Sequence, residues 1–397
     1  MIAQETSIVF LSDAPPMENG GFGNSAVAFS VAKALDGDIR LILTRQHHWR
    51  NVKSGISGGL KVRTILFSDL SGVRGLRALS PVLRSCLDSL LFLAQIPTLL
   101  RELQGCRAKY IVALCGNDPF FLINAILLAR FSRLALVFYM VDDFEASALM
   151  EGKWVRAHFF RAIEKFLLPK VDKVCVISAG YARLLKEKYG VNASLLPLPI
   201  RYPKINYSKA RFDNNSRTIA FSGSVNALYK HALRNLCDVL DERNRQGEKW
   251  KVLFLGKANT QRVRDLIGNY AFIEAEFPAS NVELVARLSE CFVCFLPYSD
   301  TQNQAIRTMI QTAFPCKISE YFASGRPILA YAPQTSTIFE YFFTHKLPLC
   351  ATTKYELNQA LSKLKDYDSE TLISAYQQVI AETHSPEAIR RFLNSLK

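Results

Sequence analysis

Short, nearly unbroken apolar runs recur along this chain, each followed by a stretch of helical character, and this alternation limits the fold more than any other feature. The first series is SIVFLSD (7–13), IRLILT (39–44), KVRTILFS (61–68), YIVALCG (110–116), LALVFYMV (134–141) and KVCVISA (173–179). A second begins at RTIAFSGS (217–224) and continues through KVLFLGK (251–257), FIEAEF (272–277) and CFVCFLP (291–297). Strands apolar on both faces need helices on both sides, which is the condition of a parallel sheet in an α/β fold. Between the series lie LPLPIRYPK (196–204), with its three prolines, and the polar KARFDNNSR (209–217), a suitable linker. Two Rossmann-like domains with parallel sheets facing a cleft are therefore expected: 1–200, 201–380 and a closing segment 381–397. A length of 397 residues also exceeds what one ordinary core serves.

Composition narrows the class. Apolar residues make up 49% and charged ones 21%, enough apolar material for a large core. MIAQETSIVFLSD carries Glu5 where a secretory leader needs a basic region, and reads as a first strand. SLLFLAQIPTLL (89–100) and PFFLINAILLA (119–129) fall short of the roughly 18–20 residues that span a bilayer. Nine scattered cysteines without framework spacing suit a reducing, cytoplasmic setting. The pair Cys291 and Cys294 sits inside an apolar run, and with six histidines at no metal-like spacing no metal site is expected. Forty-nine Lys and Arg against 35 Asp and Glu leave +14, which favours anionic partners. No helix-turn-helix, zinc-finger or RNP pattern points to nucleic acid. Five arginines, Arg74, Arg77, Arg84, Arg101 and Arg107, surround an apolar middle in 72–107. That stretch suits either an anionic membrane surface or an ordinary covering helix.

The densest group of chemistry-bearing residues is AFPCKISEYFASGRPILA (313–330). Pro315 suits a first helical turn, Gly325 a left-handed helix end, and PILAYA a buried strand. Open amides at such a helix start, beside the Lys317 cation, would suit a phosphate. Glu320, an acceptor-only carboxylate one turn on, could take two ribose hydroxyls. The plainer alternative makes Glu320 a helix-dipole partner and Lys317 a solvated charge.

Pro315, Lys317, Glu320, Tyr321, Ala323, Gly325, Arg326 and Pro327 match P-x-K-x-x-E-Y-x-A-x-G-[KR]-P. This is similar to the donor-site signature of family-4-type glycosyltransferases with the GT-B fold. The resemblance implies that Glu320 binds the ribose of a nucleotide-sugar, while Pro315, Lys317, Ile318 and Ser319 face its diphosphate. An earlier glutamate found in many members is Thr312 here. Gly20-Gly21-Phe22-Gly23 is not the dinucleotide spacing, so NAD is not inferred. It resembles the first loop of these enzymes, which implies that Gly21, Phe22, Gly23 and Asn24 line the site. Gly223 and Ser224, where many members have Arg, and Lys230 occupy places set against the donor phosphates. Phe277 matches the loop near the nucleobase.

Ligands of parallel sheets sit beyond the strand C-termini, which directs attention to Asp13, Gly116 to Asp118, and the pair Asp142 and Asp143. The pair could simply cap the next helix or sit in solvent; the resemblance places Asp142 close to the reacting sugar. It also implies that the closing helix SPEAIRRFLNSLK (385–397) packs on the first domain. The resulting expectation is a cytoplasmic, peripheral glycosyltransferase acting without metal or cofactor and with retention. Asp142 and Lys230 would be catalytic, the donor a nucleotide-diphosphate-sugar, and the acceptor a glycan or lipid-linked molecule of cell-surface polysaccharide synthesis. Its rivals are a sugar-nucleotide epimerase and a non-catalytic nucleotide-binding subunit.

Overall fold

The computed structural model describes residues 7–17, 23–46, 60, 62–68, 81–116, 118, 120–200, 217–364 and 368–395. The chain divides into two compact units, Met1–Pro199 with Thr383–Lys397, and Ile200–Glu382.

The first unit holds a seven-stranded sheet among the described residues: β1 (Ile8–Ser12), β2 (Ile39–Gln46), β3 (Thr64–Ser68), β4 (Tyr110–Cys115), β5 (Ala135–Met140), β6 (Lys173–Val176) and β7 (Ser194–Leu195). Their order is β3-β2-β1-β4-β5-β6-β7, every pair parallel. Strand order reverses between β1 and β4, so the crevice for ligands lies at their C-terminal ends. Val9, Leu11, Ile111, Ala113 and Phe138 pack one face of this sheet against helices that include Phe120–Ser132 and Trp154–Leu167.

The helix Pro81–Gln104 sends Phe92, Ile96, Leu99 and Leu103 into the same core. That is the behaviour of a covering helix for the described part of 72–107. Arg74, Arg77 and the Arg84 side chain lie outside the described residues. The C-terminal helix Pro386–Asn394 belongs to this unit, where Arg390 donates to the Asp36 carbonyl at 2.9 Å and pairs with Asp38.

The second unit repeats the plan with β8 (Thr218–Ser222), β9 (Lys251–Leu255), β10 (Ile273–Glu276), β11 (Val293–Pro297), β12 (Ile328–Tyr331) and β13 (Cys350–Ala351). The order is β10-β9-β8-β11-β12-β13, again parallel, with the reversal between β8 and β11. Among the described residues no helix is long and apolar enough to cross a membrane. Cys291 and Cys294 are buried free thiols in this core, and burial pushes Cys291 up to about 12.

Candidate functional site

In the second unit β8 and β11 pair only at Val293 with Ile219 and Cys294 with Ala220, so their C-terminal halves are not joined to each other. Tyr321, from the helix Ile318–Ser324, bridges the gap. Its hydroxyl accepts from the Ser222 amide at 2.9 Å and donates to the Phe295 carbonyl at 3.0 Å. Each contact satisfies a backbone group that would otherwise be buried alone. Tyr321→Phe should therefore cost about 1–3 kcal/mol in denaturant unfolding, the range for orphaned buried polar groups. Unaltered stability would show that neither group depends on the phenol.

Lys317 stands at the mouth of this crevice. The residue is only partly buried, yet its Nζ is buried and has no hydrogen-bond acceptor among the described residues. The ammonium lies 3.9 Å from the centre of the Phe221 ring and 4.0 Å from that of Tyr229. A lysine normally buries its stem and hydrates its head; here the head is the buried part. Burial lowers its pKa to about 7, against smaller opposing effects of Cys316 and Glu320. Two ring faces compensate part of the lost hydration, but three N–H donors remain unanswered.

Backbone around the ammonium is tightly fitted. Gly223, directly after β8, has φ +106°, and a Cβ on it would meet Lys317 Nζ at 3.6 Å. Gly256, after β9, admits no side chain at all, because a Cβ there would lie 2.6 Å from the Gly223 carbonyl oxygen.

Two of the helix amides that the sequence suggests are open are already engaged. Pro315 lies in a turn before the helix, whose Ile318 amide donates to the Pro315 carbonyl at 3.1 Å and Ser319 amide to the Cys316 carbonyl at 3.3 Å. Ile318 and Ser319 have buried side chains. The helix Lys230–Arg245 is capped from a distance: Ser299 Oγ accepts from the His231 and Ala232 amides at 3.1 and 3.2 Å. The Lys230 amide donates to the Asn226 carbonyl. With these amides engaged, Lys317 is a source of positive charge at the β8–β11 reversal. Lys230 opens its helix half-buried, Gly223 and Ser224 are exposed, and Glu320 is 3% exposed. Phe277 follows β10, two strands from β8, and is 65% exposed. Thr312 ends the helix Gln304–Thr312 and donates to the Thr308 carbonyl at 2.8 Å.

The first unit offers the opposite charge. Asp13 follows β1 and accepts from the Gly116 amide at 2.9 Å, across the strand-order reversal. Asp142 follows β5; its pKa is raised to about 6, first by burial and then by repulsion from Asp13 and Asp143. No hydrogen bond to the Asp142 carboxylate is found among the described residues. Asp143 has another task. It is the N-cap of the helix Phe144–Met150, accepting from the Ala146 amide at 2.7 Å, with Lys188 Nζ 3.6 Å away. Both of its carboxylate oxygens are thus engaged inside the fold.

Gly21 and Phe22 lie outside the described residues, and Gly23 and Asn24 begin the helix Gly23–Ala34. Among the described residues no group of three or more His, Cys, Asp or Glu is placed to hold a metal ion. Sequence reasoning missed Tyr321 as a bridge and Ser299 as a cap. The tyrosine was present in the motif, but its partner strands lie 99 and 26 residues away in the chain.

No protein-family model matches the chain, and no curated protein matches it. Solved structures do. Anabaena HepE in complex with UDP aligns at TM-score 0.62 and 13% identity over 98% of this chain and 99% of its own. Sucrose-phosphate synthase from Thermosynechococcus elongatus aligns at 0.64 and 14%, covering 98% of each chain. The Burkholderia xenovorans trehalose-phosphate synthase, in complex with glucose-6-phosphate, aligns at 0.64 and 13% over 98% and 99%. With two parallel-sheet Rossmann-like units and these neighbours, the chain has the GT-B fold.

Proposed function

We propose that this protein is a glycosyltransferase moving a sugar from a nucleotide-diphosphate-sugar to a glycan or lipid-linked acceptor in cell-surface polysaccharide synthesis. The observation that carries the reading is Lys317, an ammonium buried at the strand-order reversal of the second unit without an acceptor among the described residues. An anionic ligand would answer its three donors; the UDP present in the HepE complex is of that chemistry. Glu320 takes the ribose hydroxyls, and Lys230, Gly223 and Ser224 attend the diphosphate. Phe277 is placed with the base. As the glycosidic bond breaks, negative charge grows on the leaving diphosphate, and a fixed ammonium stabilises it without a metal or cofactor. The first unit receives the acceptor, with Asp142 facing the reacting sugar and Gly21 to Asn24 beside it; retention of configuration accompanies this reading. Work at the cytoplasmic face of a membrane fits the +14 charge.

Incubation with UDP-, GDP- and ADP-sugars, with and without membrane-lipid and oligosaccharide acceptors, tests the proposal. Acceptor-dependent release of the nucleoside diphosphate is expected. Isomerisation of a lone donor would make the chain an epimerase, and binding without turnover would make it a non-catalytic subunit.

A further inference from the structure

The helix Trp154–Leu167 is apolar on two opposite sides. Ala157, Phe160 and Ile163 face the core of the first unit. The other side presents Trp154, Val155, Phe159 and Phe166, respectively 65%, 79%, 43% and 66% exposed. Their spacing, with Ala162 between, makes one stripe along three turns, and Phe159 is held in place by stacking on Phe120 at 5.7 Å. Scattered exposed apolar residues need no explanation, but a continuous aromatic stripe does.

Charge shows what would cover it. Residues 153–170 contain Lys153, Arg156, Arg161, Lys165 and Lys170 against a single acid, Glu164, which is 2% exposed. The neighbouring acids are taken up: Glu145 pairs with Arg161 and Lys188, and Glu151 with Lys153. Lys153 and Arg161 are spent in those pairs, which leaves Arg156, Lys165 and Lys170 as the cations along the segment that carries the exposed rings. A tryptophan at one end and lysines along the border match the boundary between acyl chains and anionic headgroups. A second copy of this chain would leave those cations needing acidic partners that its surface, at +14, supplies poorly.

We infer that the helix Trp154–Leu167 is an in-plane docking surface for an anionic lipid bilayer, entered by Trp154, Val155, Phe159 and Phe166. It deepens the peripheral-membrane part of the function proposed above and does not rest on nucleotide binding.

Sedimentation of the full chain with phosphatidylcholine vesicles, and with vesicles also containing phosphatidylglycerol, tests it. The wild type is expected to bind the anionic vesicles preferentially, less so as salt rises. Trp154→Ala with Phe166→Ala, and separately Lys165→Glu with Lys170→Glu, should each weaken binding at least about tenfold. Lipid-induced blue-shifted tryptophan emission should vanish in Trp154→Phe. Circular dichroism and stabilisation by nucleoside diphosphate should be retained in all, which separates this surface from the nucleotide site. Equal binding to neutral vesicles, or retention of binding by both double variants, overturns the inference. So does a concentration-dependent dimer of the wild type that Trp154→Ala with Phe166→Ala dissolves, since the stripe would then join two copies of the chain.

Discussion

Lys317→Met is expected to lower nucleoside-diphosphate affinity by about 10–100-fold, the effect of losing charge-assisted hydrogen bonds worth about 1.5–3 kcal/mol. Methionine puts an apolar side chain of similar length where the ammonium meets Phe221 and Tyr229. The same change should stabilise the unliganded protein at pH 7 by about 1–2 kcal/mol, since a buried cation without an acceptor is costly. The sign follows from the depressed pKa. The native lysine gives up its proton near pH 7, whereas the unfolded chain holds it to about 10.5. Its penalty is therefore complete below pH 7 and fades as pH rises from 7 to 10.5. A bound diphosphate favours the charged form, so binding above pH 7 takes up a proton and weakens as pH rises. Calorimetry in buffers of different ionisation enthalpy measures that uptake; a proton count of zero at pH 8 would remove Lys317 from the phosphate.

A second large effect is expected at Asp142. Asp142→Asn should reduce sugar transfer by about 10²-fold or more, the usual size of a lost acid–base or hydroxyl-orienting group. It should also make the protein more stable at pH 8, by about 1–2 kcal/mol, because it removes a charge penalised first by burial and then by repulsion from Asp13 and Asp143. The native carboxyl holds its proton up to about pH 6 while the unfolded one releases it near 3.8. The destabilisation therefore develops as pH rises from 4 to 6 and is complete above 6. The variant's advantage should vanish below pH 4. A stable variant with full transfer activity would leave Asp142 as loop chemistry only.

How far these features were legible differs by the range of the interaction involved. Apolar runs such as YIVALCG and KVLFLGK identified buried parallel strands because a strand covered on both faces leaves no polar alternation. β7 and β13, at two residues each, are too short to leave a periodic signal. Asp143 was correctly seen as a possible cap, since a cap acts three residues along the chain. Ser299 was invisible because it caps a helix 68 residues earlier. The state of the amides that open Ile318–Ser324 was missed at short range instead: the motif suggests an open anion site, but the carbonyls of Pro315 and Cys316, three residues back, accept from Ile318 and Ser319. The stripe on Trp154–Leu167 went unread for another reason. An apolar residue facing water and one facing the core look alike until the core is known.

The claim on which the rest depends is that the second unit binds a nucleoside diphosphate through Lys317 and Glu320. Thermal unfolding with UDP, GDP and ADP, each against its bare nucleoside, tests it most directly. One diphosphate at about 100 times its Kd should add about 2.7 kcal/mol of stability, with its nucleoside much weaker at equal concentration. Lys317→Met should remove most of the difference between diphosphate and nucleoside, and Glu320→Gln should weaken both by about 1–3 kcal/mol. Stabilisation by no diphosphate, or equal stabilisation of wild type, Lys317→Met and Glu320→Gln, would contradict the account.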